Sequence, residues 1–391
     1  MTAGVAEILT RMLQEPVFIT AVGMTTSLGM DAANACAAAR AGITRPSLLK
    51  CLNFAGANYF GRETLEGVPQ VTGHACGIGS GFTGKAKLAL LGGAAFADLL
   101  GRAELKPAEL AVCGFHLNMS DRFLEHAYEA GLEAGDIPQD FPYPAQAWKE
   151  TANQILDVIL RRAAVELPLP NRTLYFGGHA GFAAAIAGAC EQIRSGKFRR
   201  AVVGAVDSCL EPRFLEAAAS IQILKTADNP VGFSPGEGAG FILLEGMSTG
   251  VQRKISARVV GTGFAEDNSH QFSEKPAAGS ALAGAIQQAL SCGSTIAAPS
   301  FVVGDLNGSE RRALDWGHAL LRLRRHTDVS SLPLWLPSVA FGETGAATGA
   351  LATCLTVRAF ERGYAPGSQA LVALASDSRE RGSLVLAKST A

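Results

Sequence analysis

Apolar positions along this chain fall in short β-branched or aliphatic runs, separated by Ala- and Leu-rich stretches with helical spacing. Residues 17–22 (VFITAV) end at Gly23 and predict a buried first strand. After a turn through Gly29, residues 31–40 have helical composition, with Asp31 near the N-cap and a stop at Gly42. Further helices are predicted over 85–100, 148–164, 280–290 and 311–324, and strands over 110–115 (LAVCGF), 200–205, 255–262 and 301–306. The 200–205 strand runs on into Val206-Asp207-Ser208, and residues 231–245 (VGFSPGEGAGFILLE) read as a glycine-proline turn feeding an apolar strand. Residues 1–15 read as a short helix or frayed tail, 44–84 as an irregular insertion, and 136–144 as a proline-rich loop. Strands alternating with helices imply an α/β chain with a largely parallel core. A seam at 246–253 divides it into halves 1–250 and 251–391.

One stretch stands out, 174–196 (LYFGGHAGFAAAIAGACEQIRSG). An apolar run leads to Gly177-Gly178, then His179, then a helix from Gly181 that is nearly all small residues. Strand, sharp turn and helix make the geometry that exposes a nucleophile above a sheet, with backbone N–H groups aimed at the reacting atom. No nucleophilic side chain stands at this bend, and Cys190 is the one Cys, Ser or Thr between Thr173 and Ser195.

The pattern recurs. Phe176-Gly177 matches Phe341-Gly342, and Gly181 and Cys190 are spaced like Gly345 and Cys354. Both helices close on a charged turn with glycine. Each is followed by a strand ending Val-x-x-Ala-x-Asp-Ser, at 202–208 and 372–378. We read a duplicated α/β unit with two Ala/Gly-rich helices packed together at its centre.

Composition narrows the classes. Hydrophobic residues make up 48% of the 391 and charged residues 18%, so part of the surface is expected to lie against a partner. A net charge of −1 with dispersed Lys and Arg gives no footprint for nucleic acid or an anionic membrane. The cysteines are scattered without framework spacing and read as buried free thiols in a reducing compartment. The first residues are too polar for a signal peptide, and no apolar run is long enough to span a bilayer, so a cytoplasmic protein is expected.

Two halves with paired central helices is the thiolase fold, and several stretches resemble its β-ketoacyl synthase branch: 17–29 (VFITAVGMTTSLG), 232–245 (GFSPGEGAGFILLE), and the helix ending Arg194-Ser195-Gly196 followed by AVVGAVDS. The resemblance implies a layered αβαβα arrangement of duplicated mixed-sheet halves, dimers joined near 174–176, and an acyl-thioester ligand. The catalytic positions depart from it. Gly178 stands where the resemblance places the cysteine, with His179 next to it. Asp305, in Asp305-Leu306-Asn307-Gly308-Ser309, takes the place of the first catalytic histidine. In Ser338-Val339-Ala340-Phe341-Gly342-Glu343 the lysine has become Ser338 and the second histidine Glu343. The terminal gate loop, Ala375-Ser376-Asp377-Ser378, has lost its phenylalanine.

Decarboxylative condensation needs a thiolate to carry the acyl group and neutral imidazoles to polarise a carbonyl, and carboxylates would oppose the enolate. We therefore expect a degenerate site at Gly178, His179, Asp305 and Glu343, binding residues Asn307, Ser338 and Phe233, and neither cofactor nor metal. His179 reads equally as a base or ligand at the mouth of the site and as a hydrogen-bonded neighbour of the helix cap. Asp207 and Asp377, symmetric in the repeat, read as structural strand-end residues, and His116 and Asn118 as rim residues. The elbow together with 206–212 and 305–308 further resembles thiolase-like proteins encoded beside type VI secretion effectors and spike-tip proteins, which implies such a partner and a homodimer. Three functions stay open: a binding or adaptor protein, including a chain-length-factor-type subunit; a thioester hydrolase or decarboxylase using His179, Asp305 and Glu343; and an acyltransferase.

Overall fold

A computed structural model of the chain describes residues 15–49, 71–120, 145–211, 214–215, 218–219, 221–227, 229–247, 253–273, 275–292, 298–324 and 327–389. The expectations for 1–14, for most of the 44–84 insertion, for 136–144 and for much of the 246–253 seam lie outside these residues.

Ten strands form the main sheet: β1 (Val17–Thr26), β2 (Gly114–Asn118), β3 (Arg172–Tyr175), β4 (Arg200–Ser208), β5 (Glu237–Gly246), β6 (Ala257–Glu266), β7 (Phe301–Gly304), β8 (Leu334–Trp335), β9 (Gln369–Ala375) and β10 (Glu380–Lys388). The spatial order is β8-β7-β9-β10-β6-β1-β5-β4-β2-β3. From the β1–β6 junction outwards the two sides repeat each other. On each side the first strand pairs antiparallel with the last, which pairs antiparallel with a third, and two parallel strands follow. β1 and β6 themselves pair over only three residues, Val17–Ile19 against Ala257–Val259.

Seven longer helices cover this framework: α1 (Ala32–Arg40), α2 (Gly84–Ala103), α3 (Ala145–Arg162), α4 (Gly178–Arg194), α5 (Ser280–Ser291), α6 (Glu310–Leu323) and α7 (Thr348–Arg362). Helix α4 touches β2 and β4 of one half and β10 and β6 of the other, and α7 crosses it, so the two sheet halves enclose both helices. Helices α2 and α3 cover the outer face of the first half, and α5 and α6 that of the second. This gives three apolar layers: one around α4 and α7, one under α2 and α3, and one under α5 and α6. The layered αβαβα arrangement and the duplication are as the sequence implied.

Close approach explains two glycines. Gly23 lies inside β1, not at its end, because a Cβ there would fall 2.3 Å from the Ala95 carbonyl oxygen of α2. Its counterpart Gly263 on β6 faces the Ala285 carbonyl oxygen of α5 in the same way, at 1.9 Å. Asp31 caps α1 as expected, its Oδ1 accepting from Asn34 N at 2.9 Å.

Other boundaries differ. The strand expected at 110–115 begins at Gly114, because Pro107 and the Lys106–Glu109 capping box fold 107–110 into a helical turn. Helix α4 starts at Gly178 rather than Gly181, with Gly178 itself at φ 53°. The last strand, β10, lies beyond the elements that the sequence pattern predicts. Of the described cysteines, Cys292 is exposed and the others are buried.

Candidate functional site

The carboxyl ends of β2, β4, β7 and β9 converge on the first turn of α4, the place where open α/β sheets bind ligands. Gly178 and His179 sit on that turn. Asp305 follows β7 directly, Asp377 follows β9 by two residues, Asp207 lies near the end of β4 and Asn118 ends β2. Glu343 lies between a short helix (Pro337–Phe341) and the turn leading to α7.

His179 is 2% exposed and is held at both ring nitrogens. Nδ1 lies 2.8 Å from Asp305 Oδ2 and Nε2 lies 2.7 Å from Glu343 Oε1. Arg312, from the first turn of α6 and equally buried, fills the remaining space. Its Nη1 lies 3.2 Å from Asp305 Oδ2 and 3.8 Å from Glu343 Oε2, and its Nη2 donates to Asp377 Oδ1 at 2.6 Å. Asn307 Nδ2 donates to Glu343 Oε2 at 2.5 Å, and Gly345 N to Glu343 Oε1 at 2.7 Å. Ala375 N donates to Asp305 Oδ2 at 2.6 Å.

Two backbone N–H groups beside the bend are already engaged. Ala180 N donates to Ser376 Oγ at 3.0 Å, whose hydroxyl donates to the Gly177 carbonyl. Ala346 N donates to Asp207 Oδ2.

The charges are set by each other. Burial works against a charged His179, but the Glu343 carboxylate and hydrogen bonds to Asp305 and Glu343 hold its pKa at about 10, against the opposing charge of Arg312. Burial likewise disfavours ionised Glu343, yet the His179 and Arg312 charges keep it down at about 2. Arg312 is raised above the ordinary guanidinium range: Asp377, Asp305 and Glu343 overcome the cost of its burial. Asp207 goes the other way, pushed up to about 6 by burial despite amide donors from Ala346 and Ser208. Asp305, Glu343 and Asp377 are therefore met by the His179 ring and the Arg312 guanidinium, whose Nη1 lies 2.7 Å from His179 Nδ1.

A cavity of about 10 Å³ remains beside this cluster, lined by Gly178, His179, Asp207, Cys209, Glu343 and Asp377 among others. That is room for about one water molecule. Gly178 offers no side chain at the bend. The mid-helix thiols of Cys190 and Cys354 are fully buried and raised, Cys190 to about 12.

The structure brings together Gly178, His179, Asp305, Asn307 and Glu343. Ser338 stands behind them, its hydroxyl donating to the Leu306 carbonyl at 2.5 Å. Phe233 packs against Phe214 in an apolar cluster, and Phe214 in turn lines the cavity beside His179 and Glu343. Asp207 and Asp377 are not merely strand-end residues: both face the site. Asn118 is not on a rim either. It is fully buried, with Nδ2 donating to the carbonyls of Gly178 and Ala346, because the late start of β2 carries it inward. His116 is buried as well, between Tyr175 Oη and Gln192 Oε1. Arg312 was missed. The buried stripe of α6 is Arg312, Asp315, Ala319 and Leu323, so helical spacing alone puts two charged residues on the inward face.

Among the described residues no group of three or more His, Cys, Asp or Glu is arranged to hold a metal ion, and no helix is long and apolar enough to cross a membrane.

Residues 180–250 match the family described as beta-ketoacyl synthase, N-terminal domain. No curated protein matches the chain. Among solved structures, the ishigamide ketosynthase/chain length factor is similar over 96% of this chain and 99% of its own, at 18% identity and a TM-score of 0.73. A beta-ketoacyl synthase from Burkholderia phymatum is similar over 96% and 100%, at 17% identity and a TM-score of 0.71. A type II PKS acyl-carrier protein in complex with its ketosynthase gives 96% and 99%, at 17% and 0.71. This chain has the thiolase fold in its ketosynthase form.

Proposed function

We propose that this protein is a non-condensing thiolase-fold subunit that acts by binding, as an adaptor or as a chain-length-factor-type partner. One observation carries the reading: His179 is held at both ring nitrogens between the Asp305 and Glu343 carboxylates, with Arg312 Nη1 2.7 Å from Nδ1, where a condensing site needs a thiolate and imidazoles free to polarise a carbonyl. A general acid or base works best with a pKa near the working pH. Neither His179 at about 10 nor Glu343 at about 2 meets that condition, which also counts against hydrolysis or decarboxylation through His179, Asp305 and Glu343.

A protein partner is supported by two of the similar structures, one a ketosynthase/chain length factor and one a ketosynthase in complex with an acyl-carrier protein. In this reading the partner is a second thiolase-fold chain, the same or a cysteine-bearing homologue, or a secretion effector or spike-tip protein of the kind the sequence resemblance implies. The test is intact-mass analysis of the full chain after incubation with acetyl- and malonyl-CoA, with free CoA and CO2 release followed in parallel. Unchanged mass and no turnover above the buffer rate are expected. An acyl adduct or steady thioester cleavage sinks the proposal.

A further inference from the structure

At the other end of the central helices the surface is open. Helix α7 leaves the His179 cluster at its N-terminus and runs 15 residues to Arg362, on the order of 20 Å away. There, against α1, lies a cavity of about 470 Å³. Its floor is apolar, formed by Ala33, Cys36 and Ala37, and its walls are Arg40, Arg358, Arg362 and Tyr364. We infer that this cavity binds an organic phosphate, with the phosphoryl group among the three arginines and the carbon skeleton on the apolar floor.

Charge balance is the first support. Arg358 Nη1 pairs with Glu361, whose other oxygen accepts from Ser256 Oγ at 2.7 Å. Among the described residues no carboxylate pairs with Arg40 or Arg362, so the described lining of the cavity carries roughly two positive charges beyond the Arg358–Glu361 pair. A carboxylate brings one charge, whereas a phosphate monoester brings up to two and three acceptor oxygens. Cations are favoured at helix C-termini in general, which accounts for Arg40 and Arg362 taken singly. It does not account for Arg358, a full turn earlier, whose Nε is buried without a hydrogen-bond partner.

The cavity is also held in shape. Arg40 lies 4.3 Å over the Tyr364 ring, Tyr364 stacks on Trp335, and Trp335 packs on Phe301 at 4.8 Å. Burial pushes the Tyr364 hydroxyl up to about 12, so it remains a donor at neutral pH. The volume falls in the range of small-molecule sites, about 300–1,000 Å³. Inorganic phosphate alone would leave the floor uncovered.

The test is calorimetric titration of the full chain at low ionic strength with AMP, inorganic phosphate and adenosine as probes. AMP is expected to bind at least about tenfold more tightly than inorganic phosphate, with adenosine giving no heat. Removing one charged hydrogen-bonding partner by Arg362→Gln or Arg40→Gln should weaken AMP about tenfold. Both side chains are exposed, so the fold is not at risk, and Lys197→Gln, on an exposed turn outside the cavity lining, should change nothing. No heat from AMP or phosphate, or heats that the arginine variants leave unchanged, overturns the site. Equal affinity for phosphate and AMP overturns its organic part.

Discussion

The two ends of the central helix layer are built from similar charged residues and do opposite things with them. At the N-terminal end of α4 and α7, two cations and three carboxylates interlock until space for about one water is left. At the C-terminal end of α7, Arg40, Arg358 and Arg362 face a 470 Å³ opening with one carboxylate between them. Buried charge is tolerated when each partner's field answers another's, and a balanced cluster then offers a ligand nothing to gain. Unanswered charge beside open volume offers a great deal. The cluster at the carboxyl ends of the strands is thus the less receptive of the two.

Breaking the balance should show the largest effect. Arg312→Leu leaves Asp305, Glu343 and Asp377 facing a single imidazolium and is expected to cost about 3–5 kcal/mol. Arg362→Gln, at the open end, should cost less than about 0.5 kcal/mol. Urea denaturation of both variants checks this, and comparable losses would erase the distinction between the ends.

Titration gives the next largest effect. The folded pKa of His179 is raised, so its contribution is complete below about 6.5 and is lost as pH climbs through about 10. Glu343 is lowered, so its contribution is present above about 4.5 and lost as pH falls towards 2. Asp207 is raised, so it withdraws stability as pH rises from 3.8 to about 6. The stability gap between wild type and His179→Gln should therefore shrink by on the order of 4 kcal/mol between pH 6.5 and 10. A gap that stays flat over that span would mean the imidazole is neutral.

Placing a thiol at the bend should do least. Gly178→Cys puts a side chain at φ 53°, a strain of about 1–2 kcal/mol, into a site whose carboxylates persist. No acylation is expected by intact mass after incubation with acyl-CoA. An adduct at the introduced thiol would show that the cluster does not block carrier chemistry.

Much of the fold was legible in the residues. The repeated Ala/Gly helix, with its matched Val-x-x-Ala-x-Asp-Ser strands, carried the duplication and the central helix pair, because small-residue runs between glycine bends suit only close helix packing. Gly178, His179, Asp305 and Glu343 were legible by register against a family pattern. Arg312 was not, since it comes from a helix with no counterpart in that pattern. Its clue lay in periodicity, a charge on the buried stripe of α6. Asn118 was lost to a boundary error: the Pro107 turn delays β2, and the delay turns a rim position into a buried one. Asp207 and Asp377 illustrate the reverse mistake, in which symmetry in the repeat suggested mere scaffolding and hid that both ends of the repeat point at one site.

Arg312 constrains what its neighbours can become. Once a guanidinium is wedged among three acids, neither it nor any acid can be exchanged alone without stranding a bare charge in the interior. Any exchange of this arrangement for another would have to change several positions at once, because each single step leaves an uncompensated buried charge. The wedge works as a lock: the charged residues it joins can be replaced together, and none of them singly.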